Sequence, residues 1–291
     1  MNLPKLTRKQ QAILKLLYSY RFLNRIQIQA LMHHKDYKTI NVWLKDLLEK
    51  EYVERIYSTD FAERTKPAVY YLGINGIRFL KTLADPEIGY VKYQAVELHK
   101  RYRESLRSQS YIDHCYAIAE CCVVLDKKTI ELEATTNGVG GNKSVTYFYE
   151  TEADYLEDSY YHFISESELI RPHLCFSKDI FEGIGDPYAA ESYLLEMFDA
   201  NLPRYRIKKR ISNYIEYLEE GGWEDETEGS NPPIVLLICP RTTDLIYTKR
   251  RARGLLVETY DRGDVDRPHI WITTIDKLLE HGVLGDIWEK A

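Results

Sequence analysis

Apolar residues recur at helical spacing from the start of the chain. Ile13, Leu16, Leu17 and Tyr20 follow Thr7 and Gln10, a Thr-x-x-Gln pair that can satisfy the free amides of a helix start, and predict a helix over 8–20. Asn24 and Gln27 repeat the pattern and open a short second helix that turns Ile28 and Leu31 inward before the polar turn His33-His34-Lys35-Asp36. Asp36 is placed to cap a third helix over 37–50. There Ile40, Leu44, Leu47 and Leu48 form one stripe, Trp43 lies at its edge, and Lys38, Asn41 and Lys45 lie opposite. YVERIY (52–57) and AVYYL (68–72) read as strands joined by the polar segment STDFAERTKP, and INGIRFLKTL returns to helical spacing.

Three helices, a strand, a polar wing, a strand and a helix give the order of a winged helix-turn-helix, expected over residues 1–88. The charged stretch KYQAVELHKRYRESLRSQ then predicts a linker helix over 89–108, and an α/β domain fills 109–291. In that domain 110–125 reads as a helix. TIELEAT (129–135) and SVTYFYE (144–150) read as strands around NGVGGNK, which lacks the Gly-Lys-Ser/Thr ending of a phosphate loop and is expected to be a hairpin loop. The acidic, tyrosine-rich run Glu150–Glu168 reads as a loop. LIRPHLCF and ESYLLEMF read as strands, YRIKKRISNYIEYLEE as a helix, PPIVLLIC as a buried strand, TTDLIYTKRRARGLLVETY as a helix and HIWITTI as a last strand.

Charge sharpens the division. The net charge of −6 hides a basic head, since residues 1–85 hold 15 Lys and Arg against 8 Asp and Glu, and an acidic remainder of −13. Such a head suits phosphate, whereas the acidic body does not. Length and composition (291 residues, 44% hydrophobic, 29% charged) fit a globular protein of about two domains and exclude disordered and disulfide-scaffold classes. No run of eighteen apolar residues and no apolar leader occurs, so a cytoplasmic protein without membrane contact is expected. Five cysteines (Cys115, Cys121, Cys122, Cys175 and Cys239) show no Cys-x-x-Cys spacing and are expected as free thiols without structural zinc.

In a winged helix the third helix enters the major groove, where an amide such as Asn41 pairs with adenine and a lysine reaches guanine or phosphate. The expected DNA-contacting residues are Lys38, Thr39, Asn41, Val42 and Lys45 on that helix, with Arg64 and Lys66 in the wing. The competing reading is a protein-binding winged helix whose Lys/Asn stripe is merely solvated. Trp43 fits packing or a dimer contact better than base reading, His114 fits a core histidine, and His33-His34 fits a solvated turn or a phosphate contact better than a metal site. Tyr155, Tyr160 and Tyr161 in the acidic run could line a partner surface.

The order of several segments resembles the replication-relaxation family of bacterial plasmids and integrative conjugative elements. These segments are LTRKQQAILKLLYSYRFLNRIQIQALM, VERIY with YYLGINGIRFL, the helix of His114, RPHLCF, YLLEMFDANLPRYRIKKRISNYIEYL, PPIVLLICP and GVLGDIW. The resemblance implies a DNA-binding winged helix joined to an α/β body similar to the PD-(D/E)XK nuclease fold. A nuclease of that fold needs an acid on one strand, an acid on the next, and a lysine two positions on, to hold a divalent ion and activate water. Here His173 stands where the first acid belongs and Phe198 where the lysine belongs. Glu196 and Asp199 remain, with Lys208 or Lys209 as the nearest substitute cation, so an active site would comprise Glu196, Asp199, His173 and Lys208. One carboxylate beside an imidazole is a poor magnesium site. The end-of-strand Glu196 reads equally as a solvated carboxylate, and His173 as a hydrogen-bonded, partly buried imidazole.

The sequence thus points to a non-catalytic, sequence-specific DNA-binding protein of a mobile element, acting in replication, conjugative transfer or transcription. Double-stranded DNA is its expected partner, and a homodimer and a replication or relaxosome protein its expected associates, with no cofactor and no metal. The alternatives are a metal-dependent endonuclease and an antitoxin-like protein-interaction module.

Overall fold

The computed structural model of the chain describes residues 3–57, 66–83, 93, 98–136, 143–155, 164, 167–182, 189–221, 223, 231–260 and 268–291. Among these residues the chain forms two compact units, the first running to Val123 and the second from Val124 to Ala291.

The first unit begins with α1 (Arg8–Tyr20), β1 (Leu23–Asn24), α2 (Arg25–Leu31) and α3 (Tyr37–Glu49), and continues with β2 (Val53–Ile56), β3 (Val69–Leu72) and α4 (Ile74–Lys81). Both expected capping boxes form. Thr7 Oγ1 accepts from Gln10 N at 3.3 Å while Thr7 N donates to Gln10 Oε1 at 2.9 Å, and the Asn24/Gln27 pair repeats the exchange at 3.0 and 3.1 Å. The apolar stripes meet in one core, where Ile13, Leu14, Leu17, Ile28, Ile40, Leu44, Leu47 and Leu80 are almost wholly shielded. Burying each is worth about 1.5–3 kcal/mol. The strands form an antiparallel sheet in the order β1-β3-β2, with Leu23 opposite Tyr70 and Val53 opposite Leu72.

Close approach explains one glycine. The start of α4 lies on the corner between α3 and β2, where Gly73 N donates to Tyr52 O at 2.9 Å and Asn75 Nδ2 to Lys50 O at 2.9 Å. A Cβ on Gly76 would stand 2.3 Å from Tyr52 O, inside contact distance with rigid backbone.

Of the linker helix expected over 89–108, residues 89–92 and 94–97 lie outside the described residues, and Glu104–Leu106 form a single 3-10 turn. Next comes α5 (Gln109–Thr136), 28 residues long. It overturns the strand expected at 129–135. The alternation in TIELEAT imitates a strand, but Leu125, Thr129 and Leu132 keep helical spacing. Leu125 is fully buried, and Thr129 Oγ1 accepts from Tyr147 N at 3.0 Å. NGVGGNK therefore follows a helix and does not join two strands; residues 137–142 lie outside the described residues.

The second unit continues with β4 (Lys143–Thr151), the short α6 (Glu152–Tyr155), β5 (Leu174–Glu182), β6 (Ala189–Met197), α7 (Arg204–Glu219), β7 (Ile234–Cys239), α8 (Thr242–Thr259), β8 (Ile270–Thr274), α9 (Ile275–His281) and β9 (Glu289–Lys290). Its six strands lie in chain order in one mixed sheet. β4, β5 and β6 are antiparallel, β6, β7 and β8 run parallel through α7 and α8, and β9 turns back antiparallel on β8. β7 is buried from Val235 to Cys239, which is why it reads as an unbroken apolar run.

Three further expectations are corrected. The strand placed on LIRPHLCF starts only at Leu174, after Pro172, which has no amide to give a ladder, and runs on through the polar SKDIFE. The run expected as a loop from Glu150 begins inside β4 and continues as α6, while residues 156–163 and 165–166 lie outside the described residues. HIWITTI is not the last strand, because α9 and β9 follow it.

Candidate nucleic-acid interface and the body's buried carboxylate

α3 packs Ile40, Leu44 and Leu47 inward and leaves Lys38, Asn41, Val42 and Lys45 exposed; Val42 is 65% accessible. Their spacing of three and four puts these four side chains on one face. Asp36 fixes the helix start. Its carboxylate accepts from Lys38 N at 2.9 Å, Thr39 N at 3.1 Å and Thr39 Oγ1 at 2.6 Å. The Thr39 hydroxyl, then the Lys38 amide, hold the Asp36 carboxyl below its ordinary range. Thr39 thus serves the cap, with its hydroxyl already donated. Trp43 sets its ring edge-on to His34 at 5.0 Å, so it packs within the turn between α2 and α3. Lys45 lies 3.8 Å from Glu49 in an exposed pair, of a kind that contributes little to stability. Lys66 is exposed before β3, and Arg64 lies outside the described residues.

In the second unit, Glu196 stands on β6 with its side chain turned toward α7. It is not the solvated carboxylate that its place near a strand end suggested, since it is 3% accessible and ion-paired to Arg210 Nη1 of α7. Burial pushes its carboxyl above the ordinary range, against the pull of Arg210 and a hydrogen bond from Tyr214. His173 sits just before β5, where its Nδ1 accepts from Met197 N at 3.2 Å and its own amide donates to Leu195 O at 2.9 Å. The imidazole thereby extends the β5–β6 ladder by one side-chain bond. Asp199 lies exposed beyond the end of β6, and Lys208 and Lys209 are exposed on α7. The cation that reaches Glu196 is Arg210, which sequence reasoning passed over. Its signal was present, because Arg210 is four residues before Tyr214 and borders the inward stripe Ile207, Ile211, Tyr214 and Leu218.

The remaining chemistry is quiet. All five cysteines are buried free thiols. Burial pushes Cys115 up to about 11 and Cys121 and Cys239 up to about 12, which keeps these three protonated at neutral pH. His114 stacks on Tyr111 with ring centroids 6.4 Å apart. Among the described residues no group of three or more His, Cys, Asp or Glu side chains is arranged to hold a metal ion. No helix among them is long and apolar enough to cross a membrane. On the sheet face opposite Glu196, Phe176 and Tyr193 stack at 4.6 Å beside a hollow of about 400 Å³ also lined by Trp271, Trp288 and Lys290.

Neither a curated protein nor a solved structure matches the chain. The profile of the replication-relaxation family matches residues 14–234, from the first buried turn of α1 to the start of β7. A match that takes in the exposed face of α3 and the Glu196–Arg210 pair, over three quarters of the chain, shows that the protein belongs to the replication-relaxation family.

Proposed function

We propose that this chain is a sequence-specific duplex-DNA-binding protein of a mobile genetic element, acting in replication, transfer or transcriptional control. The observation that carries the reading is the exposed α3 face, where an amide and two lysines project from a helix anchored by its cap and by three core residues. Its setting supports a winged helix-turn-helix: α1, α2 and α3 share one core, and β2 and β3 pair antiparallel after them, the wing expected between the two strands falling on residues 58–65, outside the described residues. Asn41 then reads base edges while Lys38, Lys45 and Lys66 hold phosphate or guanine. Family membership supports the mobile-element setting.

The body is read as a PD-(D/E)XK-like scaffold without catalysis. The order α5-β4-α6-β5-β6-α7-β7 supports the fold assignment. The occupation of Glu196 by Arg210 supports the loss of chemistry, because a carboxylate already neutralised by a guanidinium is a weak ligand for a hard cation. A dimerisation or partner-docking role is what remains for it.

Footprinting across the DNA flanking the protein's own gene tests the reading. A discrete protected site is expected. On that site Asn41→Ala relaxes sequence preference at a cost of about 1–3 kcal/mol. Lys66→Ala weakens specific and random duplex alike. Equal loss on both duplexes for Asn41→Ala removes the groove assignment.

A further inference from the structure

The acidic body carries one strongly basic surface. On α8 the run Lys249-Arg250-Arg251-Ala252-Arg253 places four cations in five residues around the fully buried Ala252. The first two turns of α7, Arg204 to Arg210, hold five cations and no acid. Tyr247 joins the two helices. The Arg204 and Arg251 guanidiniums lie 5.1 and 5.5 Å from its ring centroid, and its hydroxyl donates to Arg204 O at 3.2 Å. Two like charges are thereby held on one aromatic ring.

Among the described residues, the cations on these two helices that have carboxylate partners are Arg210 with Glu196 and Lys249 with Glu289. Arg204, Arg250, Arg251 and Arg253 are exposed and outside any ion pair there. Clustered like charges repel, so the arrangement is disfavoured in the isolated fold and favoured once an anion spans it. Beside Arg250 and Arg253 runs a groove of about 620 Å³ lined also by Ile246, Gly254 and Val257 and by two carboxylates, Glu258 and the Glu289 that Lys249 already pairs. At Gly254 a Cβ would meet nothing within 4 Å, so the helix surface is left bare without a packing reason. A bare backbone flanked by forked donors admits a phosphodiester strand close to the helix. Of the large apolar groups exposed on α8 only Ile246 and Val257 are present, too few for a membrane-seeking helix.

We propose that Arg204, Arg250, Arg251 and Arg253 form a second nucleic-acid contact, on the body, that grips the phosphate backbone of duplex DNA irrespective of sequence. This goes beyond the head's reading of bases and does not depend on it. Its role is to add affinity and salt dependence to a complex whose specificity comes from elsewhere.

The test uses the full chain and a random-sequence 40-base-pair duplex, with binding followed by fluorescence anisotropy over a salt titration. Replacing all four arginines by alanine should reduce the slope of log affinity against log salt by about 3 to 4 and weaken binding at least about tenfold at moderate salt, near 0.9 of slope per lost phosphate contact. The four-lysine variant should keep most of the slope, which separates lost charge from lost structure. Lys127→Ala/Lys128→Ala on α5 should leave it unchanged. An unaltered slope in the alanine variant, or an equal fall in the α5 variant, overturns the proposal. So does binding to vesicles containing 30% phosphatidylserine that disappears in the alanine variant while its DNA binding persists. If Lys38→Ala/Lys45→Ala leaves the random-duplex affinity intact while the arginine variant loses it, the head reading loses support and the body contact stands.

Discussion

Arg21 Nη2 lies 2.6 Å from Glu104 Oε1, joining the end of α1 to the 3-10 turn 83 residues later, and the Glu104 side chain is wholly shielded from solvent. Arg21 adopts a φ of 66°, a left-handed conformation that a side chain tolerates only when its surroundings hold it. Arg107 at 3.4 Å and Arg101 at 4.0 Å face the same carboxylate. Burial, then the neighbouring Arg21 charge, lower the pKa of Arg101, and Glu104 opposes both. Removing one partner of a buried pair strands the others, at a typical cost of about 3–5 kcal/mol. Glu104→Gln should therefore unfold the first unit at much lower urea than the parent, whereas Arg107→Gln, at the more exposed edge, should cost far less. Equal midpoints for Glu104→Gln and the parent would show that the carboxylate is dispensable.

The cap of α3 is pH-dependent, and its sign is fixed. The Asp36 carboxyl is held below its ordinary 3.8 in the fold. Its stabilisation of the helix start is thus complete above the unfolded value and disappears as pH falls through the lower folded value. Amide exchange at Lys38 and Thr39, corrected for the intrinsic pH dependence, should accelerate only below about pH 3.8, where protons compete for the cap. Asp36→Ala should show the fast exchange at every pH, and Asp36→Asn, which keeps an acceptor, should stay near the parent.

Alanine at two helical glycines should act in opposite directions. At Gly254 the new methyl meets open space and the backbone is ordinary helix, so Gly254→Ala should stabilise the body by about 0.5–1 kcal/mol. At Gly76 the methyl would press on Tyr52 O, and Gly76→Ala should destabilise the head by about 1–3 kcal/mol as α4 shifts from its corner. Denaturant midpoints of the two variants, compared at constant slope, check both signs.

Incubation with magnesium or manganese should leave supercoiled plasmid intact, because Arg210 already neutralises Glu196. Nicking that vanished in Glu196→Gln would restore the nuclease reading. The same substitution tests the electrostatics. The folded Glu196 carboxyl is raised above its ordinary 4.5, so the fold holds that proton more tightly than the unfolded chain does. This group's contribution to stability then falls as pH rises from about 4.5 through the folded value. Glu196→Gln should flatten that decline in a pH series of thermal unfolding, and an unchanged profile would contradict the shift.

Most of the first unit was legible because its signals are local. Thr7/Gln10 and Asn24/Gln27 announce helix starts within four residues, and the Ile40-Leu44-Leu47 stripe defines its own inner face. What misled was ambiguous periodicity and distant partnership. TIELEAT alternates like a strand, although Leu125, Thr129 and Leu132 keep helical spacing, and the helix meets β4 through Thr129, a partner the segment itself does not reveal. The polar half of β5 is a strand because β4 and β6 flank it, with Ser177 opposite Phe148 and Ser192, information absent from SKDIFE itself. Glu196 looked exposed because Arg210, fourteen residues on, cannot be foreseen from a strand-end carboxylate. The basic surface of α8 was hidden inside a body whose net charge is acidic, since a sum over residues erases clustering.

β9 is only two residues long, yet it decides what the body's sheet shows to its neighbours. Without it β8 would be a bare edge, its unpaired amides and carbonyls offering a template to any extended chain. β9 fills that edge through Trp271 opposite Lys290 and Ile272 opposite Glu289. Lys290 lies 5.6 Å from the Trp271 ring, and Glu289 is clamped by Lys249 and Lys277 at 3.0 and 3.3 Å. At the opposite margin Thr129 of α5 accepts an amide of β4, covering part of the other edge. A charged strand too short to recruit another closes the sheet against self-association, so loss of these last residues would show first as filament or aggregate formation by an otherwise folded protein.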